Sequence, residues 1–215
     1  MEIAPGILRF GGLGASGNTY LIDGEVLVDT GLVDDFDRLV SEMKAENVDF
    51  SKIGAIVNTH GHYDHIGGNR DFKRLTGAKI CAHRLDAIKI ETGKDSCFKF
   101  FSEKPAISPV NCRLDGGDEV VAKNHTFGVI HTPGHTNGSI CLYDPKNKVL
   151  VSGDTLFAGS FGRFDLPTGS FGDMKASLEK LRKLDIDLLL PGHGGTVDSF
   201  VKEMIASILC FMPGD

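Results

Sequence analysis

The densest group of reactive side chains in the 215-residue sequence lies in the run Thr59–His65, which reads THGHYDH. Three imidazoles and one carboxylate occur there, at His60, His62, Asp64 and His65. Because alternate side chains of an extended segment share a face, we expect His60, His62 and Asp64 to point the same way. Four ionisable groups packed together would destabilise a core without a cation to neutralise them. The run therefore predicts a metal site with nitrogen and oxygen ligands, which suits zinc, iron or manganese.

Three further candidate ligands, His135, Asp154 and His193, share one feature of position with His60. Each of the four follows the end of a short apolar run that is predicted to be a strand. These predicted strands are Ile53–Val57, Thr126–His131, Val149–Ser152 and Leu188–Leu190. In open α/β sheets, ligand-binding groups gather outside the carboxyl ends of the strands. We therefore expect four loops at one edge to bring seven candidate ligands together.

The remaining histidines and the cysteines are predicted to be structural. An isolated buried histidine is more often hydrogen-bonded in a core than bound to a metal, and this interpretation applies to His83, His125 and His131. Five cysteines are scattered without a CxxC pair, at Cys81, Cys97, Cys112, Cys141 and Cys210. This pattern argues against a disulfide framework and suits a reducing compartment. Each cysteine is expected to fill space in the core rather than to act as a nucleophile.

The composition limits the kinds of molecule that the protein is expected to bind. A formal net charge of −6 disfavours nucleic acid, because an acidic surface repels a phosphate backbone. The first residues, MEIAPGILRF, lack the pattern of a signal peptide, and no apolar run is long enough to span a membrane. We expect a cytoplasmic protein, a monomer or a homodimer, that acts on a small molecule.

The elements that must position the ligands alternate between strands and helices. Besides the four strands above, strands are predicted at Ile7–Phe10, Asn18–Ile22, Val26–Asp29, Lys79–Ala82, Glu119–Val121 and Ser139–Tyr143. Helices are predicted at Asp35–Glu46, His65–Leu75, Met174–Leu184 and Val197–Phe211. Residues 93–117 are predicted to be an irregular binding loop or lid. No break marks a second domain, so residues 1–215 are predicted to form one layered α/β domain.

The HxHxDH run followed by His135, Asp154 and His193 resembles the metallo-β-lactamase superfamily over nearly the whole chain. The LVDTG segment, Leu27–Gly31, also resembles an opening strand of that superfamily. The resemblance implies a four-layer αββα sandwich. It further implies two metal sites that share Asp154 as a bridging ligand, and a role for Asp29 in orienting a ligand. The implied ligands of the first metal are His60, His62 and His135, and those of the second are Asp64, His65 and His193.

The resemblance implies hydrolysis with two divalent metal ions, for which zinc is the predicted identity and iron or manganese the alternatives. Two cations lower the pKa of a shared water from about 15.7 to about 7, and the resulting metal-bridging hydroxide attacks a carbonyl carbon. Asp64 and Asp154 are the predicted catalytic carboxylates. No separate nucleophile is required.

The loop Gly153–Gly172 is similar to those of glyoxalase II-like hydrolases and of persulfide dioxygenases. The predicted reaction is hydrolysis of a small thioester or ester, with a thiol conjugate as the candidate substrate. Glyoxalase II enzymes carry a GKFY-like string where this chain has Gly162-Arg163-Phe164-Asp165, and Arg163 is the predicted substrate-binding residue because it can grip a carboxylate. Two alternatives are a persulfide dioxygenase with a single iron and a non-catalytic metal-binding protein. An apolar rim is predicted from Phe98, Phe100, Phe101, Phe157, Phe161 and Phe164.

Overall fold

Two β-sheets lie face to face in the computed structural model, which describes residues 1–212. The first sheet has seven strands in chain order: β1 (Glu2–Ala4), β2 (Ile7–Phe10), β3 (Thr19–Ile22), β4 (Val26–Val28), β5 (Ala55–Asn58), β6 (Lys79–His83) and β7 (Cys112–Leu114). Strands β1 to β4 are antiparallel, and β4 to β7 are parallel. The carboxyl end of β5 therefore lies at the same edge as those of β4, β6 and β7.

The second sheet is built from the later part of the chain. Its strands are β8 (Glu119–Val121), β9 (Thr126–His131), β10 (Ile140–Asp144), β11 (Val149–Gly153) and β14 (Leu188–Pro191). A separate two-stranded hairpin consists of β12 (Leu156–Phe157) and β13 (Ser160–Phe161). The order in the sheet is β14-β11-β10-β9-β8. Because β10 is antiparallel to both neighbours and β14 is parallel to β11, strands β9, β11 and β14 run in one direction.

Within residues 1–212, six α-helices accompany the two sheets: α1 (Phe36–Ala45), α2 (Tyr63–Ile66), α3 (Asn69–Thr76), α4 (Arg84–Thr92), α5 (Phe171–Leu181) and α6 (Val201–Phe211). The predicted helix His65–Leu75 is wrong as a single element, because the Gly67-Gly68 pair separates α2 from α3. A side chain at Gly67 would come within 2.6 Å of the Val33 backbone nitrogen, so the chain approaches its neighbour too closely there for any residue but glycine.

Two predicted helix starts are also corrected by the structure. Helix α5 begins at Phe171 rather than at Met174, because the Ser170 side chain caps it by accepting a hydrogen bond from the backbone of Asp173. Helix α6 begins at Val201 rather than at Val197, because Val197 is drawn into a β-bridge with Leu189.

Apolar side chains fill three interfaces between four layers. Between the sheets, Tyr20, Val57 and other residues of the first sheet pack against Phe127 and Leu142 of the second. The outer face of the first sheet is covered by a cluster that includes side chains of α1 and α3, and that of the second by side chains of α5 and α6. The helix–sheet–sheet–helix order confirms the predicted αββα sandwich. Burial of each large aliphatic side chain contributes about 1.5–3 kcal/mol.

Residues 93–111, called the cavity loop below, join α4 to β7. The loop contains one short 3₁₀ helix, Phe98–Phe101, and is otherwise irregular, as predicted. The prediction of irregular structure through residue 117 was too long, since Cys112–Leu114 adds a strand to the edge of the first sheet. Within residues 1–212, no helix is long and apolar enough to cross a bilayer.

Candidate metal centre

The ligands predicted from the HxHxDH run divide between a loop and a helix. His60 and His62 lie in the loop that follows β5, whereas Asp64 and His65 lie in the single turn of α2. The expectation that Asp64 shares an extended segment with His60 and His62 was therefore wrong. The helical turn rotates Asp64 away from His60 and His62. The four side chains therefore belong to two groups of candidate ligands instead of sharing one face.

The other three predicted ligands arrive from the second sheet. His135, Asp154 and His193 follow β9, β11 and β14, whose carboxyl ends lie together. The first sheet meets this edge at Thr59, whose carbonyl oxygen accepts a hydrogen bond from the Ile140 nitrogen at 2.9 Å. A side chain at Gly153 would lie 2.6 Å from Thr59, so the strand ends can approach only with glycine there. The predicted convergence is confirmed, but the edge belongs to two sheets rather than to one.

Seven side chains form overlapping groups in which candidate ligand atoms lie within 4.8 Å of one another. The groups are His60, His62 and His135; His60, His65 and Asp154; and Asp64, His65 and His193. Asp154 joins them: its carboxylate oxygens lie 3.3 Å from His65 Nε2 and 3.4 Å from His135 Nε2. The structure thus brings together all seven predicted ligands, in the division that the sequence resemblance implied. Their function as ligands remains a prediction.

Unsatisfied buried atoms test whether this cluster suits a cation. Nε2 of His60, Nε2 of His62 and Oδ1 of Asp154 are buried and lack hydrogen-bond partners. Each such atom costs about 1–3 kcal/mol when nothing compensates for its desolvation. Native structures keep few such groups, and each needs an explanation. Two imidazole nitrogens and one carboxylate oxygen are ligands that zinc and iron accept, so the cluster fits a metal site.

Burial sets the protonation of the first group. Desolvation, together with the neighbouring His135, lowers the pKa of His62 to about 3. Desolvation likewise holds the pKa of His60 well below its usual value, with the nearby His65 adding to the effect. Both imidazoles are therefore neutral near pH 7, which is the form that binds a metal ion.

Neighbouring carboxylates shift the pKa of His65, in the second group, in the opposite direction. Although burial alone would lower it, the pKa of His65 is raised by Asp154, Asp29 and Asp64. Burial opposes ionisation of Asp154, yet His65 and His135 hold the pKa of its carboxyl well below the usual value. The carboxylate of Asp154 is consequently ionised between the two groups.

Asp29 lies where the resemblance implied an orienting residue. Its carboxylate is 2.8 Å from His65 Nδ1 and accepts hydrogen bonds from the backbone nitrogen and the hydroxyl of Thr59, at 2.8 and 2.7 Å. His65 is thereby oriented with Nε2 towards the cluster. The ring of His135 is fixed similarly, because its Nδ1 lies 2.6 Å from the Arg163 carbonyl oxygen. Hydrogen bonds of this kind fix the tautomer and the direction of ligating imidazoles.

Sequence reasoning missed Asp86, which ties two ligand-bearing loops together. Its buried carboxylate accepts hydrogen bonds from the Gly61 nitrogen and from the Thr136 hydroxyl, both at 2.7 Å, and pairs with Lys89 at 2.5 Å. Helix α4 buries this Asp–Lys pair while leaving Leu85 and Ile88 at 40% and 54% exposure. Apolar periodicity predicts the reverse orientation, so only the i,i+3 spacing of opposite charges hinted at the pair.

The histidines predicted to be structural have partners outside the cluster. His125 Nδ1 lies 3.0 Å from the Asp23 carboxylate, and His131 Nε2 lies 2.9 Å from the Asn137 carbonyl oxygen. His83 stacks on His131 with ring centroids 4.1 Å apart. None of the three joins a candidate ligand group within residues 1–212.

A cavity of about 560 Å³ opens onto the cluster. Its lining includes His62, Asp64, His135, Asp154 and His193, together with Cys97, Phe100, Phe101, Phe157, Arg163 and Leu166. The predicted apolar rim is confirmed for Phe100, Phe101 and Phe157. It was wrong for Phe98, Phe161 and Phe164, which are not among the lining residues. Cys97 also contradicts its predicted role as core filler, since it is half-buried and lies among the residues that line the cavity.

The predicted substrate-binding residue, Arg163, lies in the cavity wall and is already paired. Its Nε and Nη2 atoms donate hydrogen bonds to the two oxygens of Asp165, at 2.8 and 2.7 Å. The side chain is 59% exposed. The bidentate geometry is the one that an arginine commonly forms with a carboxylate.

Comparisons with known proteins agree with this geometry. A family model described as the metallo-beta-lactamase superfamily matches residues 12–193. A probable metallo-hydrolase of Methanocaldococcus jannaschii is 30% identical over 87% of this chain and 92% of its own length. A hydroxyacylglutathione hydrolase of Maricaulis maris is 36% identical over 73% of this chain, which spans only 53% of that relative. The crystal structure of TTHA1623 in a di-iron-bound form superposes with a TM-score of 0.76 at 29% identity, over 89% of this chain and 94% of the other.

Proposed function

The chain belongs to the metallo-beta-lactamase superfamily, and from this membership we propose that it is a two-metal hydrolase of small thioesters or esters. One observation carries the proposal: Asp154 contacts imidazoles of both ligand groups, at 3.3 and 3.4 Å. A carboxylate in that position can bridge two cations. The cavity beside it admits a small substrate, whereas a purely structural metal site would be closed.

The proposed mechanism assigns a task to each side chain around the cavity. When bound, a pair of divalent cations supplies a water of lowered pKa and polarises a carbonyl oxygen. His60, His62 and His135 would hold one cation, and Asp64, His65 and His193 the other. Ionised Asp154 would contribute its carboxylate between the two sets of ligands. Asp64, which is 15% exposed and lies 3.1 Å from His193, is directed at the cavity, where it orients the attacking water.

Two features support a thioester as the substrate, and the chemistry of the ligand set supports zinc as the metal. The Maricaulis relative is a hydroxyacylglutathione hydrolase, and Gly162 and Arg163 of the string that corresponds to GKFY lie in the cavity wall of this chain. The apolar side chains of Phe100, Phe157 and Leu166 offer a surface to an acyl or thiol group. A set of five imidazoles with two carboxylates suits zinc, and iron is the alternative because TTHA1623 holds two irons.

Metal analysis joined to a substrate panel tests the proposal. Protein purified without added metal is expected to contain two metal equivalents per chain and to hydrolyse hydroxyacyl-glutathione or a simpler acyl-thioester. Hydrolysis is followed by release of the free thiol. One iron per chain with oxygen uptake on a persulfide, and no thioester cleavage, would instead identify a dioxygenase. Two bound metals without turnover of any ester or thioester would indicate a non-catalytic metal-binding protein.

Arg163 is proposed to bind a carboxylate of the substrate in competition with Asp165. Replacing Asp165 by asparagine frees the guanidinium, so we expect KM for glutathione thioesters to fall. Arg163→Ala is expected to raise that KM by about fivefold, because an exposed ion pair contributes about 1 kcal/mol or less. An acyl-thioester of an uncharged thiol is the matched control, and its KM should change in neither variant. Equal changes for both substrates would contradict a carboxylate-binding role.

A further inference from the structure

Two cysteines that are far apart in the sequence lie side by side on adjacent strands. Cys81 of β6 and Cys112 of β7 are direct partners in the parallel register. Adjacent strands lie about 4.7–4.9 Å apart, and paired positions direct their side chains to the same face. This separation falls within the range of about 4.4–6.8 Å between Cα atoms that a disulfide spans. The backbone therefore places the two thiols within reach of a direct bond.

The surroundings of the two thiols differ in a way that sets an order of reaction. Cys112 is exposed on the edge strand, whereas Cys81 is half-buried against the core between the sheets. Burial raises the pKa of the Cys81 thiol to about 12, and its interaction with Cys112 adds to the rise. Cys112 is thus the thiol that a soluble reagent meets first, and Cys81 is placed to react second.

We propose that Cys81 and Cys112 form a reversible disulfide by exchange with small-molecule disulfides. The Cys112 thiolate attacks one sulfur of the small disulfide, which leaves a mixed disulfide and releases one small thiol. The Cys81 thiolate then attacks the Cys112 sulfur, which forms the protein disulfide and releases the second small thiol. The two cysteine sulfurs are oxidised, and the two sulfurs of the small disulfide are reduced.

The bond would act on a segment that reaches the cavity. Strand β7 has three residues and pairs with β6 on one side only, at the edge of the first sheet. A Cys81–Cys112 bond would close residues 82–111 into a loop that contains α4 and the cavity loop. The cavity loop supplies Cys97, Phe100 and Phe101 to the wall beside the metal cluster. Oxidation would therefore restrain the cavity loop at the end where it joins β7, whichever reaction the cluster catalyses.

Exchange with glutathione disulfide tests the proposal in the full chain. A Cys210→Ser background removes an exposed thiol on α6 that lies outside the pair. In this background, we expect the loss of two thiols and a mass decrease of two hydrogen atoms, with a cross-linked peptide that contains Cys81 and Cys112. Dithiothreitol should restore both thiols. With Cys81→Ser added, we expect one glutathione to remain on Cys112, because the second thiol is missing.

Three results would overturn the proposal. The first is a persistent mixed disulfide on Cys112 while Cys81 is present, since that would show the second step to be blocked. The second is an absence of reaction at both cysteines in folded protein whose Cys112 is readily alkylated. The third is a cross-link that joins either cysteine to a different partner.

Discussion

His62→Ala and His60→Ala are each expected to abolish hydrolysis and to lower the metal content of the purified protein. Each substitution removes one of the three imidazoles in the first ligand group, together with a buried nitrogen that has no other partner. Loss of several kcal/mol of charge stabilisation corresponds to a fall in kcat/KM of about 10³-fold or more. The effect should appear in kcat, because these imidazoles would hold a cation that acts on the reacting group rather than on remote parts of the substrate.

Elemental analysis and thioester turnover, measured on the same preparations, check this prediction. His125→Ala is the matched control, because His125 is also a buried histidine but bonds to Asp23 outside the cluster. The control should keep both metals and its turnover. If His60→Ala or His62→Ala kept both, the assignment of the first metal position would be wrong. Circular dichroism separates loss of metal from loss of fold.

Asp154→Asn is also expected to lower metal content and hydrolysis, but through the loss of a negative charge rather than of an imidazole. The substitution keeps the size of the side chain but removes the negative charge that lies between the two ligand groups. An amide oxygen is a weaker and uncharged ligand, and it cannot bridge two cations as a carboxylate does. We therefore expect the metal content to fall from two equivalents to one or fewer, with a loss of about 10³-fold in kcat/KM.

A zinc titration monitored by calorimetry distinguishes this variant from the histidine variants. Asp154→Asn should weaken both binding steps, whereas His62→Ala should weaken mainly one. Asp187→Asn is the control, since that carboxylate is 66% exposed and pairs with Lys148 at the surface. Two tight zinc sites in Asp154→Asn would show that the carboxylate is not shared.

Much of the candidate site was predictable because its side chains follow the ends of apolar strands. His135, Asp154 and His193 could be placed next to one another from the sequence, since β-strands of one direction end at one edge of a sheet, whereas their approach to His60 depends on the meeting of two sheets. Asp64 shows the limit of that reasoning. Its spacing from His62 suits an extended chain, but the chain becomes helical at Tyr63 and carries Asp64 into the other group.

The supporting residues were less predictable, because their roles depend on distant contacts. Asp86 resembles any acidic residue near the start of a helix until the fold buries it against Gly61 and Thr136. Arg163 and its pairing with Asp165 were suggested by the loop sequence, yet the bidentate geometry of the pair is decided by the tertiary structure. The cavity rim divided in the same way: three of six predicted phenylalanines line it, and packing turned the others elsewhere.

The linear order of residues determined which side chains are chemically suited to hold metal ions and which strands must carry them, since residue type and periodicity are local properties. The family resemblance implied how the seven side chains divide into groups, but only the tertiary structure brings that division about, because it depends on where two sheets meet and where the helical turn of α2 begins. The tertiary structure also decided that Cys81 lies beside Cys112. Their pairing depends on strand register, which is fixed by the packing of whole sheets and not by any short stretch of sequence.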